Sequence, residues 1–231
     1  MKIYGILLLS ITAMLVGCTS NKKFDEAIAR INQRLDALEK LVMPAAQQPE
    51  VQAKAFDVPM GNSFVLGKKD APVSITIFSN FQCPYCGQAD KDLRALLNDP
   101  ELKEKINIVF KHFPFERHVN ARPASKAALA AGEQGNDKFW AMTEKNFANQ
   151  SALTPENFNN FARDIGLDVA KFTADLANNN QKYDDIINAD IKLGEEGAKL
   201  EATPWVLVKG WMYEDDINAA NIKKFITSKN L

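Results

Sequence analysis

Cys83-Pro84-Tyr85-Cys86 is the feature that most constrains the fold. It begins five residues behind the apolar, β-branched run Val73–Phe78 (VSITIF) and opens a helix-period segment through Leu93, Leu96 and Leu97. The run predicts a buried strand and the segment a helix, so the cysteine pair opens a helix that follows a strand. At a helix N-terminus, unpaired backbone N–H groups and the helix dipole favour an anion, which makes Cys83 the thiol placed to ionise. The thiolate is the species that attacks a disulfide, so Cys83 is the candidate nucleophile. Cys86, one turn further in, is the candidate resolving thiol. Pro84 suits the first helical turn, where its missing N–H costs little.

Two blander uses of these cysteines compete. His112 and His118 form an H-x5-H pair that suggests zinc. However, 25 residues separate Cys86 from His112, more than a zinc-finger loop, and His112 sits in the strand-like run INIVFKHFPF. The histidines therefore read as one strand residue and one loop residue. A purely structural disulfide is a poor staple at this spacing, because so short a loop removes little entropy from the unfolded chain. The redox pair needs no metal or organic cofactor, since two sulfurs carry two electrons.

A second motif lies far downstream, at Thr203-Pro204-Trp205-Val206-Leu207-Val208. Proline at the start of an apolar strand is unusual, and a cis Thr203–Pro204 peptide accounts for it. Such a bond turns the Thr203 backbone outward, where it can pair with an extended client peptide beside the cysteines.

The N-terminal region predicts export and anchoring. Lys2 precedes the uncharged apolar stretch Ile3–Val16, too short to span a bilayer comfortably. It ends in Leu15-Val16-Gly17-Cys18, which resembles a bacterial lipoprotein cleavage box. Residues 1–17 are thus expected to be a signal peptide, with lipid on Cys18. An uncleaved anchor with Cys18 as bystander is the alternative. Thr19 after the cysteine resembles an outer-membrane address if the source is Gram-negative. Export to an oxidising compartment is consistent with a redox-active Cys83–Cys86 disulfide.

Residues 18–43 predict a stalk. Phe24, Ile28, Ile31, Leu35, Leu38 and Val42 recur at spacings 4, 3, 4, 3, 4, a heptad pattern that predicts a coiled-coil-like helix and a homo-oligomer. Just under three heptads is marginal alone, and a helix lying on its own body or on lipid is the alternative. Pro44 ends the helix, and residues 44–61 read as an Ala/Gln/Pro-containing linker. The body, 62–231, draws on a chain that is 46% hydrophobic with a formal net charge of -1. That balance supports a packed core and gives no general attraction to nucleic acid.

FQCPYC behind its apolar strand, the stretch Ala121–Phe147 and the later TPWVLVKG together resemble the DsbA family of thiol–disulfide oxidoreductases. The resemblance spans roughly residues 62–231, about three quarters of the chain. It implies an α/β, thioredoxin-like fold with an inserted helical domain over about 120–200. Phe139, Trp140, Phe147, Phe158, Phe161 and Phe172 are expected in the core of the insertion. Thr154-Pro155 should open one of its helices, Lys209-Gly210 should turn a terminal hairpin, and a last helix should run over 217–227. The resemblance makes Cys83 the attacking and Cys86 the resolving thiol, with Pro84, Tyr85, Thr203 and Pro204 contacting substrate. It implies exported client proteins and an unidentified redox-recycling partner.

Two departures bear on direction. Thioredoxin-like relatives often carry a buried carboxylate six residues before the first cysteine, where this chain has Ile77, so a proton acceptor for the resolving thiol is missing. The central dipeptide is Pro-Tyr, without the His of strongly oxidising members, so the couple should be less oxidising than theirs. The apolar residue at the acid position and Thr203 before the proline both resemble the disulfide-isomerase branch, as does a stalked oligomer. Isomerase or reductase work is the expectation; a net disulfide donor and a non-catalytic chaperone or binding module are the alternatives.

Overall fold

The computed structural model describes residues 28–34 and 55–231. Cys18, the export segment and both ends of the heptad run lie outside these residues. Residues 28–34 are helical, with Ile28 and Ile31 exposed, and belong to a unit distinct from the body over 53–231. Among the described residues no helix is long and apolar enough to cross a membrane.

A five-stranded mixed sheet organises the body, in spatial order β1-β3-β2-β4-β5. Its strands are β1 (Val65–Gly67), β2 (Val73–Ser79), β3 (Ile106–His112), β4 (Trp205–Val208) and β5 (Trp211–Tyr213). The VSITIF run is β2, central in the sheet, parallel to β3 and antiparallel to β4. Its near-continuous burial explains why the run is apolar rather than alternating. Helix α1 (Pro84–Leu96) links β2 to β3 and buries Cys86, Leu93 and Leu96. Lys209 and Gly210 both have positive φ and form the two-residue turn between β4 and β5. Helix α7 (Ala219–Ser228) closes the chain, capped by Asn218, whose side chain accepts from Asn221 N. The body's packing reaches upstream of residue 62: Phe56 N donates to Gly210 O at 2.8 Å.

Between β3 and β4 lies the helical insertion, comprising α2 (Ala121–Gly132), α3 (Asn136–Ala148), α4 (Pro155–Asp164), α5 (Val169–Asn178) and α6 (Asn180–Lys192). Thr154 caps α4 through its hydroxyl, with Pro155 in the first turn. All six aromatic residues assigned to the insertion core are buried. Phe139 and Phe147 do more than fill it. Phe139 stacks on Phe64 at 4.1 Å and meets Phe110 of β3 edge-on, while Phe147 packs on Phe81. The insertion is therefore fused to one face of the sheet by a continuous aromatic layer.

An ion pair locks α6 against the end of β3. Lys111 Nζ and Asp190 Oδ1 are 3.3 Å apart with side chains only 7% and 10% exposed. Asp190 Oδ2 accepts from His112 N at 2.9 Å. Burial raises the Asp190 pKa, opposed by the Lys111 charge. Removing one partner strands the other charge, so Asp190→Ala is expected to lose about 3–5 kcal/mol. Urea unfolding checks this, and a Lys111→Met/Asp190→Leu double variant should recover most of the loss. An unchanged midpoint for Asp190→Ala would show that the pair holds nothing.

Candidate active site

The active-site loop turns from β2 into α1 under dense backbone control. Cys83 N donates to Asn80 O, and Gln82 N donates to Asn80 Oδ1, an Asx-type turn that sets the strand's exit. Cys83 is the N-cap residue of α1, extended at φ −88° and ψ 118°, and Pro84 follows in the first turn. No side chain caps this helix with an oxygen, and its first turn carries no acid. The N–H groups of Cys86 and Tyr85 face the Cys83 sulfur instead.

That environment ionises Cys83. Its pKa is lowered from 9.0 to about 5, chiefly by a hydrogen bond from the Cys86 thiol, then by the Cys86 and Tyr85 backbone amides. Burial of the sulfur opposes these effects. Cys86 goes the other way. It is fully buried, and desolvation pushes its pKa far up, with the proximity of Cys83 adding to the shift. The main-chain N–H of Asn80, 3.4 Å from Cys86 Sγ, partly offsets it. The two thiols thus divide into an ionised outer one and a protonated inner one.

Thr203 arrives from the other end of the insertion. The Thr203–Pro204 peptide is cis, and Thr203 O accepts from the Cys83 thiol at 3.3 Å. The loop and the cysteine pair meet because β4 pairs with β2, bringing residues 120 positions apart into contact. Tyr85 projects beside them, 77% exposed. Among the site residues expected from the sequence, Cys83, Cys86, Pro84, Tyr85, Thr203 and Pro204 converge on one end of the sheet. His112 lies buried in β3, and His118 sits in the loop before α2, its Nδ1 2.8 Å from Asn80 Nδ2. Among the described residues no cluster of His, Cys, Asp or Glu is arranged to hold a metal.

Several residues of the site carried no signal in the sequence. Gln150 reaches from the insertion and donates to both Phe81 O at 2.7 Å and Cys83 O at 2.8 Å. Asn120 N donates to Gln82 Oε1 at 2.6 Å. The insertion therefore grips the loop carrying the nucleophile through side-chain amides that follow no periodicity.

A family model described as Thioredoxin matches residues 60–228. The chain belongs to that thioredoxin family. Its fold is DsbA-like: BdbD from Bacillus subtilis covers 77% of this chain and 97% of its own, at TM-score 0.66 and 22% identity. The thiol–disulfide exchange protein alpha-DsbA2 from Wolbachia pipientis covers 72% and 87%, at TM-score 0.64 and 19% identity. The catalytic domain of Proteus mirabilis ScsC covers 72% and 88%, at TM-score 0.60 and 17% identity. Among curated relatives, Na(+)/H(+) antiporter NhaA 1 of Salinispora arenicola is 32% identical over 168 residues, covering 71% of this chain and 24% of the antiporter. This thioredoxin-family chain spans about a quarter of the length of such relatives.

The thiolate assignment predicts selective alkylation. Reduced protein should react with iodoacetamide at Cys83 alone, with a rate midpoint near pH 5. Because the folded pKa is depressed, ionisation adds stability as pH rises from about 5 toward 9, and this contribution is lost as pH falls through 5. Denaturant titrations of parent and Cys83→Ala at both pH values check the sign.

Proposed function

We propose that this chain is an extracytoplasmic thiol–disulfide oxidoreductase acting on exported proteins, suited to isomerase or reductase work. The Cys83–Cys86 pair would be its redox centre, with no further cofactor. One observation carries the reading: the Cys83 sulfur lies at a helix N-terminus, 3.3 Å from the Thr203 carbonyl of a cis-proline loop. An extended client strand pairing with the Thr203 backbone would bring its disulfide to Cys83. The thiolate attacks one client sulfur, forming a Cys83–client bond and releasing the other as a thiolate. Cys86 then loses its proton and attacks Cys83, closing the Cys83–Cys86 disulfide and freeing the client's second thiol. If a second client thiol attacks first, the disulfide is reshuffled and the enzyme pair returns reduced. A separate redox partner would recycle the pair when it is left oxidised.

The lean toward isomerase or reductase work rests on Ile77 at the acid position and Thr203 before Pro204, and such work corresponds to a reduction potential of roughly −180 to −230 mV. The fold similarity to exchange proteins supports the same class of chemistry. The anchoring proposal rests on the Cys18 box, and the oligomer proposal on the heptad pattern, two of whose members, Ile28 and Ile31, are exposed on a helix.

Equilibration of the protein with glutathione buffers tests the reading. A value near about −120 mV would identify a net disulfide donor, and one well below about −300 mV a structural bridge. Cys86→Ala should accumulate mixed disulfides on Cys83 in cells, whereas client protection unaltered by Cys83→Ser/Cys86→Ser would favour a non-catalytic chaperone. Loss of palmitate labelling in Cys18→Ser and a smaller sedimenting species for Ile28→Glu/Ile31→Glu would support the anchored oligomer.

A further inference from the structure

Two stretches of chain flank the reactive loop and share one cavity. The first, 113–119, leads from β3 toward α2, and the second, 191–200, leads from the end of α6 toward the cis-proline loop. The first touches the reactive loop directly. Phe113 N donates to Ser79 O at 2.8 Å, and His118 Nδ1 lies 2.8 Å from Asn80 Nδ2. The second stretch ends at Leu200, just ahead of the Thr203 carbonyl that meets Cys83 Sγ at 3.3 Å. Between the two stretches lies a cavity of about 520 Å³, a size typical of ligand clefts.

The cavity walls are of two kinds. Phe113, Phe115, Val119, Ile191 and Leu200 are apolar, and Val119 is 75% exposed. Glu116 and Glu195 are exposed carboxylates at the rim. Among the described residues no ion pair takes up either of them; Lys192 pairs with Glu196 instead. Arg122 is the one basic wall that carries a fixed charge, and it is committed to Asp184 at 2.8 Å and Asn188 at 2.9 Å. Arg117 lies outside the lining, its guanidinium 4.2 Å over the Phe115 ring. The cavity therefore offers apolar walls and two uncompensated negative charges. Local backbone geometry makes room for it. Helix α6 runs into a π turn, Leu193–Gly197, closed by Ala198 N on Leu193 O at 3.3 Å. A Cβ at Gly194 would meet the Phe113 ring at 2.8 Å, so glycine lets that ring lie against the turn. Turns of this type are frequent at functional sites.

Given the oxidoreductase reading, we propose that this cavity is a client subsite that takes a lysine or arginine side chain close in sequence to the client's reacting cysteine. Such a side chain has an apolar stem and a charged head, which matches the two kinds of wall: the stem lies on Phe115, Val119 and Leu200, and the head reaches Glu116 and Glu195. A client strand held on the Thr203 backbone carries its cysteine to Cys83 while its sequence neighbours pass the cavity mouth. An apolar client residue would fill the walls and leave both carboxylates unanswered. An acidic one would meet them as like charges. The subsite thus favours basic clients and disfavours acidic ones before any sulfur chemistry occurs.

Stopped-flow kinetics on the reduced full chain test the subsite. The probes are short peptides whose single cysteine is disulfide-bonded to a chromogenic aryl thiolate, with Arg, Gln, Ala or Glu placed at each neighbouring position in turn. Release of the aryl thiolate reports attack by Cys83. At one position the Arg peptide should react about fivefold faster than the Gln peptide, and the Glu peptide more slowly than both. High salt should shrink the difference. Glu116→Gln/Glu195→Gln should abolish the Arg advantage and leave the Ala peptide's rate unchanged, and Val119→Ser should reduce it. Equal rates for all peptides overturn the subsite and leave the oxidoreductase reading standing. An Arg advantage of the same size at every position is long-range attraction and also overturns it. So does an advantage that survives Glu116→Gln/Glu195→Gln but is lost in Glu214→Gln/Asp215→Asn, carboxylates that line a separate cavity beside Pro204. A parent whose Cys83 reacts with none of the peptides overturns the oxidoreductase reading itself.

Discussion

The junction between β2 and α1 governs the site. A helix N-terminus leaves backbone donors that need an acceptor, and most helices meet them with an Asp, Ser, Thr or Asn oxygen. Here the first turn of α1 has neither a capping oxygen nor an acid, and the Cys83 sulfur faces N–H groups of that turn. The demand of those donors is met best by a thiolate. Local helix geometry and chemical reactivity are therefore one interaction seen from two sides. The rest of the body holds that junction still: β2 is paired on both edges, Asn80 sets the exit turn, and Thr203 closes over the sulfur.

The insertion contributes more than bulk. Its aromatic residues merge with those of the sheet, and Gln150 clamps the carbonyls of Phe81 and Cys83. The Cys83 carbonyl also receives the Cys86 and Gly87 amides, so three donors from two parts of the chain define where the nucleophile stands. On the far side, the Lys111–Asp190 pair ties α6 to β3. A helical domain inserted into an α/β body thereby becomes part of the frame that fixes the nucleophile.

The two cysteines differ because their surroundings differ, not their chemistry. Cys83 borders the surface and is met by donors, so its thiolate is favoured; Cys86 lies in the core, so its proton is retained. This division lets the outer sulfur attack at neutral pH while the inner one waits. It also creates the need for a route by which the inner proton leaves.

Much of this was legible from residue order. Strand β2, helix α1, the Thr154 cap, the Lys209-Gly210 turn and the terminal helix each follow from local periodicity, capping or positive φ, which short stretches determine by themselves. The cysteine pair and Thr203-Pro204 were legible as motifs for the same reason, since each is a contiguous set of residues whose types announce a chemistry. What only tertiary structure decided is which distant groups meet them. Gln150 lies 67 residues from Cys83 and carries no local pattern. His112 read as an ordinary strand residue, which it is. Sequence determines propensity over a few residues, whereas desolvation and hydrogen-bond partnership depend on which elements pack together.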